Sequence, residues 1–142
     1  MKKGKILALI MLLVMTVSCT GIFSGNDNGI PWLNGRTFTG EVNTKVTGKE
    51  DRKVGWAIVF DQNGHLLPEP GVKVEKENSY TLKDNVLEVS WIIIYEENNA
   101  RCTKDIRIEK LPDMRISYRE KQTIIGTDEV LERDGILFER MR

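Results

Sequence analysis

The chain has 142 residues, with 21 basic and 21 acidic side chains, one histidine and two cysteines. Both charge signs are interleaved along its length, so the clustered Lys and Arg that nucleic acid binding needs are missing and that class is set aside. No cofactor or catalytic motif stands out: there is no Gly-x-Ser-x-Gly and no partnered histidine, and an activated nucleophile with base and oxyanion donor is not expected.

The first element is a leader. Lys2, Lys3 and Lys5 precede the apolar run 6–15, and Thr16-Val17-Ser18-Cys19 follows, the order of basic, hydrophobic and small-residue regions in an export signal. A spanning helix needs about 20 apolar residues, and Thr16, Ser18, Cys19 and Gly21 interrupt the run before that length. Val17-Ser18-Cys19 resembles the lipobox of bacterial lipoproteins. That resemblance implies a signal peptide over 1–18, diacylglycerol and palmitate on Cys19, and a bacterial cell-envelope protein anchored to a membrane by its N-terminus. Thr16 and Ser18 also suit ordinary signal peptidase, so plain secretion stays open. Each buried CH₂ of an acyl chain contributes about 0.8 kcal/mol, and two or three chains make attachment durable.

Residues 19–30, rich in Gly, Asn and Ser, read as a flexible tether, and 31–142 as one folded domain. Without the leader the chain carries a net charge of about −3. Cys102 is then the one thiol left for the domain, and alternation places it with Ile106 and Ile108 as a small core residue.

Period-two patterning dominates from Phe38 onward. Arg36–Thr47 and Val54–Phe60 read as strands, the second stacking Val54, Trp56, Ile58 and Phe60 on one face. Asn63-Gly64 suits a two-residue hairpin turn with Phe60 opposite Leu67, and Pro68 and Pro70 end that strand. After Val72 and Val74 comes a hairpin turning at Asp84-Asn85, with Leu82 opposite Leu87. The run 91–95 is apolar on both sides, so its strand should lie centrally or bury part of its outer face. Two alternating stretches follow, 100–109 and 114–119. Asp134-Gly135 would then turn a last hairpin with Leu131 facing Phe138, and a short helix over 128–134 is the competing local reading. The count is eight or nine short strands, an all-β domain.

These residues resemble the lipocalin-like lipoproteins of bacteria. The matching elements are Leu33 and Gly35; Phe60 and Gly64; Tyr80 with Leu82, Asn85, Leu87 and Val89; Lys110 with Leu111; and Arg140. Trp32 or Phe38 would stand in for the family's first-strand tryptophan. The resemblance implies an antiparallel up-and-down meander closing into a lipocalin-like barrel of about eight strands. Its interior would bind a small apolar or amphipathic ligand, with Trp56, Ile58, Phe60, Val89, Trp91, Ile106 and Ile116 as lining.

The alternative is a tethered interaction module of the envelope with a filled, ligand-free core, meeting an envelope protein through its outer face. His65 sits on a polar turn without converging metal ligands, so neither metal nor cofactor is expected. Arg101, Arg107, Arg115 and Arg119 are expected opposite the apolar face, alternating with Asp105, Glu109 and Glu120 as cross-strand charges. Non-enzymatic binding is the expected activity.

Overall fold

The structure is a computed structural model that describes residues 32–140. The leader, the tether and Cys19 lie outside the described residues. The described chain falls into two compact units, one holding residues 32–36 and 60–67 and the other 37–59 and 68–140.

The larger unit is all-β. Seven strands run in chain order: β1 (Thr37–Val46), β2 (Arg52–Val59), β3 (Val72–Lys83), β4 (Val86–Tyr95), β5 (Arg101–Leu111), β6 (Arg115–Ile124) and β7 (Val130–Glu139). They form one antiparallel sheet in the order β2-β1-β7-β6-β5-β4-β3. Alternation does what the sequence promises. Leu87, Val89, Trp91 and Ile93 of β4, Cys102, Ile106 and Ile108 of β5, and Ile116 and Tyr118 of β6 are all buried, on the face that successive odd or even positions share.

The pairing of β1 with β7 is the contact that would close a barrel, yet the sheet stays open between β2 and β3. This corrects the expected closed barrel of about eight strands. Three readings inflated the strand count. Residues 72–83 form one strand, interrupted by register shifts between Val74 and Lys76 and between Glu77 and Ser79. Residues 130–139 are also one strand, and Phe60 meets Leu66 only in an isolated bridge. The open edge of β3 carries Lys73, Glu75, Lys76 and Glu77 beside those shifts, the charges and bulges that protect an edge from further pairing.

Asp134-Gly135 is mid-strand rather than a turn, and the helix over 128–134 does not form. Gly135 serves a different need. A Cβ there would lie 2.5 Å from the Glu41 carbonyl oxygen and 3.1 Å from Val42 Cα, and one on Gly40 would lie 2.8 Å from the Ile136 carbonyl oxygen. Close approach of β1 and β7 requires both glycines. Their missing side chains also clear the inner face, where Gly40 stands opposite Trp56 and Gly135 opposite Tyr118. An aromatic ring opposite a strand glycine fills the space it leaves.

Other expectations hold as read. Leu82 faces Leu87 across the β3–β4 turn, where Asp84 takes φ 58°. The run 91–95 is not central, since β4 is second from an edge. Its outward Ile92 and Ile94 are half-buried. Arg101 and Glu75, on the strands flanking β4, form a two-pronged ion pair at 2.8 and 3.1 Å that spans the strand beside Ile94.

In the smaller unit the Gly35 N–H donates to the Asp61 carbonyl at 2.7 Å and the Phe60 N–H to the Arg36 carbonyl at 2.9 Å. The Asp61 carboxylate accepts the N–H groups of Asn63 (2.8 Å) and His65 (2.9 Å), a side-chain-closed turn. Those two bonds, His65 foremost, hold the Asp61 carboxyl below its ordinary pKa. Gly64 has φ 80°, while Asn63 is not among the residues with positive φ, so this is not the two-residue hairpin turn read from the sequence.

Gly135→Ala should lower stability by about 1–3 kcal/mol, because the new methyl meets backbone rather than a movable side chain. Gly55→Ala, at a position with nothing within 4 Å of the new Cβ, should stay within about 0.5 kcal/mol of the parent. Urea midpoints check both, and equal midpoints would contradict the close approach of β1 and β7.

A charged cluster on the inner face and grooves on the outer face

The inner face is not uniformly apolar. Glu120, expected on the outer face, is 3% exposed and points inward in step with Ile116, Tyr118 and Gln122 of β6. Tyr118 donates its O–H to Glu120 Oε1 at 2.6 Å. Gln122 Nε2 and Arg133 Nη1 donate to Glu120 Oε2 at 2.5 and 2.7 Å. Lys104 Nζ stands 3.8 Å from Glu120 Oε1 and is paired with Glu69. Tyr95 donates its O–H to Gln122 Oε1 at 2.7 Å.

Strand pairing explains how these groups meet. Glu120 sits between Ile106 on β5 and Arg133 on β7, and Lys104 is opposite Gln122. Two cations and two anions therefore share one buried patch, Glu69 with Lys104 and Glu120 with Arg133. Both Glu120 oxygens are occupied by donors, the condition under which a buried carboxylate is tolerated.

Burial comes first among the causes that push the Tyr95 phenol up to about 12, with the Glu69 charge next. The Tyr118 phenol is raised well above its ordinary value by burial and then by Glu120. Burial likewise raises the Cys102 thiol, the direction that leaves a thiol unreactive.

Arg133 also lies over the Trp56 ring, its Cζ 3.9 Å from the ring centre, a cation–π contact. Beyond it the satisfaction of polar groups stops. Thr44 Oγ1 and Arg133 Nε are buried without a hydrogen-bond partner among the described residues, while the Trp56 indole stands against the Tyr118 hydroxyl. Thr44 is the cross-strand partner of Arg133.

Of the seven expected ligand-lining residues, Ile58, Val89, Trp91, Ile106 and Ile116 lie on the inner face of the sheet. They are 6% exposed or less, so protein atoms cover their side chains, although Val89 and Ile106 also border a recess. Trp91 Nε1 is further held by Glu77 Oε1 at 3.0 Å. Phe60, in the smaller unit, is 1% exposed. Only Trp56 keeps a partly exposed surface.

Recesses occur on the outer face instead. A groove of about 660 Å³ crosses the middle of the sheet, lined by Lys45, Asp105, Arg107, Arg119, Lys121 and Glu132 among others. A second, of about 430 Å³, lies against Gly135, Ile136 and Phe138, where Phe138 is 53% exposed. Across the larger groove the register sets out a line of charge, Asp134–Arg119–Arg107–Glu88. Like charges directly opposite one another, as in Arg107 and Arg119, are unfavourable. Arg107 is relieved by Glu88 at 2.7 Å. Arg119 forms no such pair among the described residues.

No protein-family model matches the chain, and no curated protein or solved structure matches it either. The residues themselves therefore carry the functional argument.

Missed by the sequence reading were Lys104, Glu120, Gln122 and Arg133 as inward groups. The signal was present: each continues an inward period-two series, Cys102-x-Lys104-x-Ile106 on β5, Ile116-x-Tyr118-x-Glu120-x-Gln122 on β6 and Arg133-x-Gly135-x-Leu137 on β7.

Two outcomes check this cluster. Glu120→Gln keeps the shape but strips the charge facing Arg133 and Lys104, and should cost about 3 kcal/mol of unfolding free energy; a loss under 1 kcal/mol would contradict the cluster. Raised phenol pKa values make the folded form hold its protons longer than the unfolded chain. Stability from both phenols is therefore complete below about pH 10; that from Tyr95 is lost as pH rises through about 12, and that from Tyr118 is lost as pH rises through its own raised pKa. Ultraviolet titration should show these two phenols still protonated when a free tyrosine has ionised, and Tyr118 ionising only with unfolding.

Proposed function

We propose that the protein is a membrane-anchored lipoprotein of the bacterial cell envelope, and that its open β-sheet domain is a tethered interaction module. The observation that carries this reading is the division of the sheet's two faces. The side chains of five of the expected lining residues are covered by protein, whereas the grooves are lined mainly by the charged outer rows. A filled interior suits recognition by surface better than carriage of a hydrophobic cargo.

The outer groove also suggests its partner's chemistry. Arg107 and Arg119 stand opposite each other and, among the described residues, only Glu88 is paired to them, so an envelope protein offering a carboxylate at this point would relieve the repulsion. Guanidinium and carboxylate match in geometry as well as in charge. A tether from Cys19 would hold the domain near such a partner and raise its effective concentration.

A second reading keeps ligand binding, in narrower form. It draws on Thr44 Oγ1 and Arg133 Nε, two buried polar atoms without a partner among the described residues, and it does not depend on a hollow barrel.

Two measurements test the proposal. Cys19→Ser should abolish palmitate incorporation and release the protein from membranes; unchanged membrane retention would point to an uncleaved leader. A photo-crosslinking residue at Lys121, in the outer groove, should give one discrete adduct in intact cells. Arg107→Glu with Arg119→Glu should remove that adduct while leaving the urea midpoint within about 0.5 kcal/mol. An adduct indifferent to both charge reversals would contradict the outer-face reading.

A further inference from the structure

We infer that one end of the sheet docks on the lipid surface, resting outward apolar side chains at the boundary between headgroups and acyl chains. This rests on the membrane-anchored reading above and adds which end of the domain meets the bilayer. β1 begins at Thr37, where β2 ends at Val59, β6 begins at Arg115 and β7 ends at Glu139. The chain therefore enters the sheet at this end.

Large apolar side chains left in water gather there. Val59, Leu82, Met114, Ile136 and Phe138 are between 40% and 53% exposed and lie near this end of their strands or in the turn beside it. At the opposite end, among the described residues of the larger unit, Ile125 is the one comparable side chain. Val59 stands opposite Thr37, and Phe138 lies between Thr39 and Arg115, so the apolar groups share the outer face with threonines between them. A recess of about 430 Å³ adjoins Ile136 and Phe138. Exposed apolar patches of this kind mark contacts with proteins or membranes.

Position and charge choose the membrane. Residues 20–31 separate Cys19 from Trp32, and a polar chain of that length reaches roughly 20 Å on average. The ten residues of β6 span about 33 Å, so an anchor at Cys19 keeps the entry end nearer to lipid than the other. Arg115 and Arg140 are balanced by Asp113 and Glu139 close by in sequence, which leaves the area near neutral. Burial of apolar side chains then carries the contact, while arginine stems lie along the surface with their heads in water. The groove around Arg107 and Arg119 lies further along the sheet and stays clear of lipid.

The test uses the full protein, purified from membranes and reconstituted into vesicles of phosphatidylethanolamine with phosphatidylglycerol. A nitrobenzoxadiazole label is attached in turn at Met114→Cys, Phe138→Cys and Ile125→Cys; Cys102 is buried and takes none. Quenching by nitroxide lipids should place the first two labels about 5–10 Å into the headgroup and acyl boundary and leave the third in water. High salt should not change those depths. Met114→Ser with Val59→Ser should return the label at Phe138→Cys to water without moving the urea midpoint.

A protein that does not float with the vesicles would overturn the anchored reading and this inference with it. A floating protein whose labels at Met114→Cys and Phe138→Cys stay in water would overturn the docking alone. Equal depth at Ile125→Cys would overturn the choice of end. A blue shift already present in detergent and growing with protein concentration would give the patch to a second copy of the chain instead of lipid.

Discussion

A fully buried carboxylate organises this sheet. Glu120 takes hydrogen bonds from Tyr118, Gln122 and Arg133 and has Lys104 within 4 Å, and these groups come from β5, β6 and β7. Taking such a charge out of water is tolerable only when every oxygen finds donors. That requirement fixes which residues of three strands must lie side by side. A slip of one residue in β7 or β5 would turn Arg133 or Lys104 outward and leave the carboxylate without that cation. Register, filled interior and placement of the outer charges all follow from this one constraint.

The same cluster divides the two faces. Because Arg133 and Lys104 are drawn inward, the charges left on the outer rows include the opposed Arg107 and Arg119, which the groove exposes. Inward side chains of β4, β5 and β6 are buried, and at β2 the partly exposed Trp56 meets Arg133. Exposed ion pairs such as that of Arg107 with Glu88 contribute little to stability. They are therefore free to serve recognition.

Much of the fold was legible from alternation. The all-β class, the facing of Leu82 and Leu87, and the burial of Cys102 with Ile106 and Ile108 follow from period two and turn chemistry. Three things were not legible. Asp134-Gly135 carries a strong local turn signal, but close packing of β1 on β7 needs a glycine there and tertiary contact overrides the local preference. Closure could not be read either, because alternation within each strand does not say whether the two edge strands, β2 and β3, meet. The inward Glu120 was read as surface because Arg119-Glu120-Lys121 looks like a solvated run. Charge type overruled the phase that Ile116 and Tyr118 had already set.

The most direct measurement of the central constraint is a double-mutant cycle between Glu120→Gln and Arg133→Met, followed by urea unfolding. If the buried pair organises the sheet, the two changes couple by about 2 kcal/mol or more, since either alone leaves a charge without its partner. Additivity within about 0.5 kcal/mol would mean that the two side chains do not depend on each other, and the account built on Glu120 would fall.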